Sequence, residues 1–131
     1  MVGSRSSRGA PGSLIASPRR GEVYVVSLDP TIGAEIQKSR PAVILQNDIA
    51  NRHSPVTIVA AITSKADDSL FPTEVLVRAG EGGLTRDSVV LLNQLRSIDR
   101  TRLVRRLGHL ARVTMARVDR ALAVSLGLVE P

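Results

Sequence analysis

A chain of 131 residues and 14.0 kDa has room for one hydrophobic core, not two. The absence of cysteine and the presence of only His53 and His109 exclude disulfides, thiolate zinc sites, iron–sulfur ligation and cysteine nucleophiles, so neither a metal nor a cofactor is expected. The net charge is +6, yet Arg5, Arg8, Arg19 and Arg20 precede the first acid, leaving 14 basic against 12 acidic side chains in the rest of the chain.

Residues 1–18 are rich in Ser, Gly, Pro and Arg, show no periodicity, and are expected to be a disordered basic extension ahead of a single domain over 19–131. Leu14-Ile15-Ala16 is too short for the apolar core of about 7 to 15 residues in a secretory signal. No apolar run reaches the roughly 18 to 20 residues that span a bilayer. The chain is therefore expected in the cytoplasm, with no membrane partner.

Glu22 to Leu28 is β-branched and apolar, and reads as a first strand stopped by Asp29-Pro30. A loop to Arg40 precedes a short buried strand, Pro41 to Gln46, with proline at its entrance. Val56 to Thr63 is the third strand and Thr73 to Val77 a fourth. Ser88 to Leu92 and Leu95 to Ile98 make one or two more, and Arg106 to Leu110 a last one. No helix of crossover length separates these runs, which favours a small barrel of five to seven strands over a parallel sheet. Between Arg112 and Leu128, Met115, Val118, Leu122 and Leu126 recur at helical spacing, giving an amphipathic C-terminal helix. Ala111 offers its start no side-chain cap, and Gly127 marks where it frays.

Tyr24 and Phe71 are the only aromatics, which disfavours modules that stack bases on aromatic platforms and places both residues in the core or anchoring loops. His53 is the side chain best suited to proton transfer near neutral pH, but a connecting segment is its more ordinary setting.

Five blocks in order resemble the MazF/PemK (Kid) family of toxin endoribonucleases: Arg20-Gly-Glu-Val-Tyr24; Asp29-Pro30 with Gly33; Arg40-Pro-Ala-Val-Ile-Leu-Gln-Asn-Asp48; Ala60-Ala-Ile-Thr63; and Arg86 through Asp99. The resemblance runs from about Arg20 to Leu128. It implies an SH3-like barrel of the CcdB/PemK type, mainly β and closed by the terminal helix, in a homodimer. The implied activity is sequence-specific, metal-independent cleavage of single-stranded RNA, chiefly mRNA, by 2′-OH attack, giving 2′,3′-cyclic phosphate and 5′-OH ends. A labile MazE-like antitoxin with an acidic tail is the implied partner.

The resemblance assigns the catalytic pair to Arg40 and Thr63. A guanidinium stays charged and presents fixed donors, which suits charge building on phosphate oxygens, and a hydroxyl can hold the 2′-OH in line. Glu35, Gln37 and Lys38 on the loop before Arg40, and Ser64, Lys65, Asn93 and Gln94 after the later strands, fall where relatives touch RNA. The loop departs from the family pattern: Gln37-Lys38 replaces a frequent Gly-Gly pair, and Ala34 a frequent serine. Arg86-Asp87 reads as a structural ion pair at a strand entrance.

Two other functions are open to a barrel of this kind. A CcdB-like toxin that binds gyrase would use the end of the terminal helix, but Leu126-Gly-Leu-Val-Glu-Pro131 lacks the Trp-Gly-Ile ending of that mode. A catalytically idle RNA-binding barrel would leave RNA intact.

Overall fold

The computed structural model describes residues 16–28, 39–65 and 70–131. Its strands are β1 (Glu22–Ser27), β2 (Ser39–Ile44), β3 (Val56–Ser64), β4 (Glu74–Val77), β5 (Ser88–Asp99) and β6 (Leu103–His109). Two helices join them, α1 (Asp48–His53) and α2 (Arg112–Ser125), with short 3₁₀ turns at Glu81–Gly83 and Arg100–Arg102. The strands form one antiparallel sheet in the order β4-β5-β3-β2-β1-β6.

The ladder is open, with β4 and β6 at its edges. The turn after β4 nevertheless packs on β6. Gly82 and Gly83 lie directly against Leu107 and Gly108, both at positive φ (65° and 76°), and a Cβ on Gly83 would run into the Leu107 carbonyl. The sheet thus bends until its two edges meet through a glycine turn, giving the expected small mainly-β architecture as a barrel with one unpaired seam.

Side chains pack on both faces. Val23, Val43, Ala60, Ile62, Val90 and Leu92 point to the face covered by α2, where Val118 and Ala121 are buried. Tyr24, Val26, Ala42, Ile44 and Val59 form a second cluster on the opposite face with Ile98 and Leu103. Burial on both sides is why β1 and β2 read as apolar runs rather than as clean alternation.

Several bounds differ from expectation. β2 begins two residues ahead of Pro41, so Arg40 belongs to the strand and pairs with Val26 rather than ending a loop. Ser88 to Asp99 is one strand with an irregularity: Ala61 pairs with Leu91 but Ala60 with Leu95, so Leu92, Asn93 and Gln94 bulge from the ladder. Helix α2 stops at Ser125 because Gly127 adopts φ 75° and closes a Schellman cap, its N–H donating to Val124 O at 3.0 Å and that of Leu128 to Ala123 O at 2.8 Å. Leu126 consequently leaves the apolar stripe and is 55% exposed. At the other end Glu81 compensates for the capless Ala111, its Oε2 accepting the Ala111 N–H at 2.9 Å.

Helix α1 was not expected. Asn47 caps it by accepting the Ala50 N–H at 2.8 Å, and buried Asn51 fixes it to the sheet. Asn51 Oδ1 accepts from Thr57 Oγ1 (2.8 Å) and Gln46 Nε2 (2.9 Å), while Nδ2 donates to Gln46 O (2.9 Å). Arg20, in the first quoted block, is part of the scaffold. It donates from its backbone to Asp48 Oδ1 (2.7 Å), from Nε to Leu45 O (2.8 Å), and pairs with Asp119 (2.5 Å), tying β1 to both helices.

Candidate active site

The pairing of β2 with β3 ends at Ala42 opposite Ala61, and just beyond it lie Arg40, two residues toward the start of β2, and Thr63, two residues toward the end of β3, each on the same face as the member of that pair in its own strand. Opposed residues of an antiparallel pair project from the same face. Here that face is the one turned away from α2, since Ala42, Val26 and Val59 belong to the second cluster.

Arg40 and Thr63 line two clefts, the larger on that face and the smaller at the strand ends, where Leu84 of the α2-side cluster joins its lining. The larger, about 400 Å³, is completed by Leu28, Ala61, Leu91, Gln94 and Arg96. The smaller, about 230 Å³, adds Ser39, Ser64, Thr85, Arg86 and Ser88. Neither is lined by an acid among the described residues. The surface they form is cationic, rich in hydroxyls and half-apolar at its base, a chemistry suited to a sugar–phosphate chain with bases attached.

The bulge in β5 creates much of the larger cleft. Three additional residues are an odd number, so they reverse which face each later side chain takes. Arg96 pairs with Val59 and therefore shares a face with Ala61 and Thr63. Without the bulge, alternation from Leu91 would place Arg96 on the α2 face. Gln94 sits within the bulge and reaches the cleft; Asn93 beside it is exposed but lines neither cleft.

The remaining expected residues divide. Ser64 lines the smaller cleft. Lys65 lines neither, and its backbone N–H donates to Asp87 O at 2.9 Å. Glu35, Gln37 and Lys38 lie outside the described residues. His53 ends α1, away from both clefts, and His109 ends β6. Tyr24 is core, its hydroxyl pushed up by burial and by Glu22 beside it, whereas Phe71 is 67% exposed rather than packed.

The Arg86-Asp87 ion pair does not form. Asp87 instead pairs with Arg78 at 3.4 Å and accepts the Ala79 N–H at 2.9 Å, which frees Arg86 to line the smaller cleft. Arg86 and Arg96 thus line the clefts although neither was expected there from the sequence. Among the described residues no group of three His, Cys, Asp or Glu side chains is placed to hold a metal, and no helix is long and apolar enough to cross a membrane.

Residues 19–126 match the family model described as PemK-like, MazF-like toxin of type II toxin–antitoxin systems. The chain belongs to that family. It is 46% identical over 112 residues to endoribonuclease EndoA of Bacillus subtilis (strain 168), covering 86% of this chain and 97% of the relative. Among solved structures it resembles MazE-MazF (Form-II) from Deinococcus radiodurans, with a TM-score of 0.74 and 28% identity over 88% of this chain and 100% of that one. It also resembles an endoribonuclease in complex with its cognate antitoxin from a mycobacterial species, with a TM-score of 0.72 and 26% identity over 87% and 99% of the two chains. As a MazF/PemK-type toxin the chain is an endoribonuclease.

Proposed function

We propose that this MazF/PemK-type toxin cleaves single-stranded mRNA at a short sequence motif, without a metal, with Arg40 and Thr63 acting on the scissile phosphate. The observation that carries this reading is their position, at the adjoining ends of β2 and β3 on the shared wall of two acid-free clefts.

The 2′ oxygen attacks the adjacent phosphorus, the P–O5′ bond breaks, and the products are a 2′,3′-cyclic phosphate and a 5′-OH. The 2′-OH gives up its proton and the departing O5′ gains one. Negative charge grows on the non-bridging phosphate oxygens, where the fixed fork of Arg40 donates two hydrogen bonds at once. Thr63 holds the 2′-OH in line from the facing strand. Arginine stays protonated at neutral pH, so its work is electrostatic and positional rather than that of a base. Gln94 and Ser64 contact the RNA beside the cut, with Gln94 offering an amide to a base edge. Lys65, Asn93 and the loop residues Glu35, Gln37 and Lys38 act further along the strand.

The same surface explains the partner. An acidic, initially disordered tail of a MazE-like antitoxin has charge complementary to the cationic clefts and silences the enzyme by covering them. The toxin works in the cytoplasm as a homodimer, which sedimentation velocity reads directly as twice the chain mass.

Incubating the protein and Arg40→Ala with a long, weakly structured RNA in EDTA tests the reaction. Cuts at one motif, bearing cyclic phosphate and absent with the variant, are expected. Intact RNA with both proteins would replace the assignment with an idle barrel, and equal cutting by both would remove Arg40 from it.

A further inference from the structure

We infer that Arg86 and Arg96 bind the phosphates on either side of the one that is cut, so that the RNA backbone crosses the Arg40–Thr63 wall from one cleft to the other. This rests on the ribonuclease reading above and extends it to the path of the substrate.

Three observations carry it. Arg96 lines the larger cleft and Arg86 the smaller, while Arg40 lines both, which orders the guanidiniums as Arg96, Arg40, Arg86. Arginines that serve the fold elsewhere are visibly engaged: Arg20 with Asp119, Arg78 with Asp87, Arg106 with Glu22, and Arg100 on the Asn51 carbonyl. Among the described residues no acid pairs with Arg40, Arg86 or Arg96. Finally, the fold goes to some length to put two of them there. The β5 bulge turns Arg96 onto this face, and Arg78 occupies Asp87, the acid next to Arg86.

Three like charges side by side without a counter-acid repel one another, and a polyanion relieves that repulsion. Consecutive phosphates of one strand match the arrangement. A single isolated anion would be met by Arg40 alone and would leave the outer two unused.

The test first maps the wild-type cut site on long RNA in EDTA. Binding of an oligonucleotide carrying that site, with 2′-deoxyribose at the attacked position, is then followed by fluorescence anisotropy across about 50 to 200 mM KCl. Arg86→Gln and Arg96→Gln are each expected to flatten the slope of log K against log salt by about 0.7, as for one lost single-strand phosphate contact. The all-ribose oligonucleotide should show KM raised about tenfold with kcat within about threefold, the pattern of lost uniform binding. Arg112→Gln, on the exposed start of α2, is the control for bulk charge.

A slope and KM indistinguishable from those of the control would overturn the inference for that arginine, as would a loss confined to kcat. Failure of the wild type to cut the long RNA would instead overturn the ribonuclease reading itself.

Discussion

Arg40 and Thr63 line the same two clefts from neighbouring antiparallel strands, Arg40 paired with Val26 of β1 and Thr63 with Val89 of β5, so the guanidinium and the hydroxyl are carried by ladders rather than by a loop. Rigid strands position reacting groups more tightly than loops do. Arg40 is also exposed, with no described acid against it, so its removal separates activity from stability. Arg40→Ala should lower kcat by about a hundred- to a thousandfold, the usual cost of one charge-stabilising donor. Thermal unfolding should show the melting temperature unchanged. Arg40→Lys keeps the charge without the planar fork, and is expected to recover only part of the rate.

Thr63 is half-buried, which permits an isosteric test. Thr63→Val keeps the shape and removes the hydroxyl. A hydrogen bond to a charged group contributes about 1.5–3 kcal/mol, so cleavage should slow about ten- to a hundredfold, while Thr63→Ser stays near wild type. Single-turnover rates on one cut site distinguish the two variants.

Closure of the seam depends on Gly83. Gly83→Ala combines a left-handed backbone with a collision against the Leu107 carbonyl, and should destabilise the fold by about 2–3 kcal/mol. Gly80 also has positive φ, at 97°, but nothing stands within 4 Å of its missing Cβ. Gly80→Ala should therefore cost only about 1 kcal/mol. Urea titration of the two variants separates crowding from backbone conformation.

Asn51 anchors α1 from a fully buried position. Asn51→Ala leaves the Thr57 hydroxyl, also buried, without its acceptor and should cost about 2–4 kcal/mol. Adding Thr57→Val removes the orphaned hydroxyl and should return part of that loss. A double-mutant cycle in denaturant measures the coupling.

Asp99 contributes to the acid limb of the stability profile. The Thr101 backbone N–H and then its hydroxyl, donating at 2.9 and 2.8 Å, hold this carboxyl below its ordinary range. A folded-state value below the unfolded one gives stability that is present above the unfolded value, near pH 4, and disappears as pH falls through the folded value. Asp99→Asn should flatten that part of the curve and leave the neutral region little changed, as melting temperatures from pH 7 down to 2 would show.

Much of this was legible beforehand, and the residues show why. Apolar β-branched runs placed β1 and β2, which are buried on both faces, and alternation placed β4, while β6 begins at Leu103, three residues ahead of its expected start, because Val104 and Arg105 are exposed and give that part of the strand no apolar run. Arg40 and Thr63 were singled out by their surroundings rather than by chemistry, since an arginine or a threonine at a strand end is ordinary in itself, and the structure brings both to the same clefts. Arg96 was illegible because periodicity assigns faces by counting, and the bulge at Leu92–Gln94 breaks the count. Arg86 was misread because adjacency in sequence suggested Asp87 as its partner, whereas Arg78 is the side chain that reaches it. Helix α1 was too short to show a helical period, although Asn47-Asp48 is a recognisable start signal.

The β5 bulge also constrains how this strand can change in length. The facing of Arg96 follows from its pairing with Val59 and not from its distance along the chain from Leu91, so losing one or two residues of Leu92–Gln94 shortens the projection and leaves Leu95 opposite Ala60 and Arg96 opposite Val59. The same loss inside the continuous ladder, between Ser88 and Leu91, would turn side chains to the wrong face. Changes of length are thus absorbed at the bulge, where they alter the segment that carries Gln94 into the cleft and leave the apolar layer beneath α2 intact.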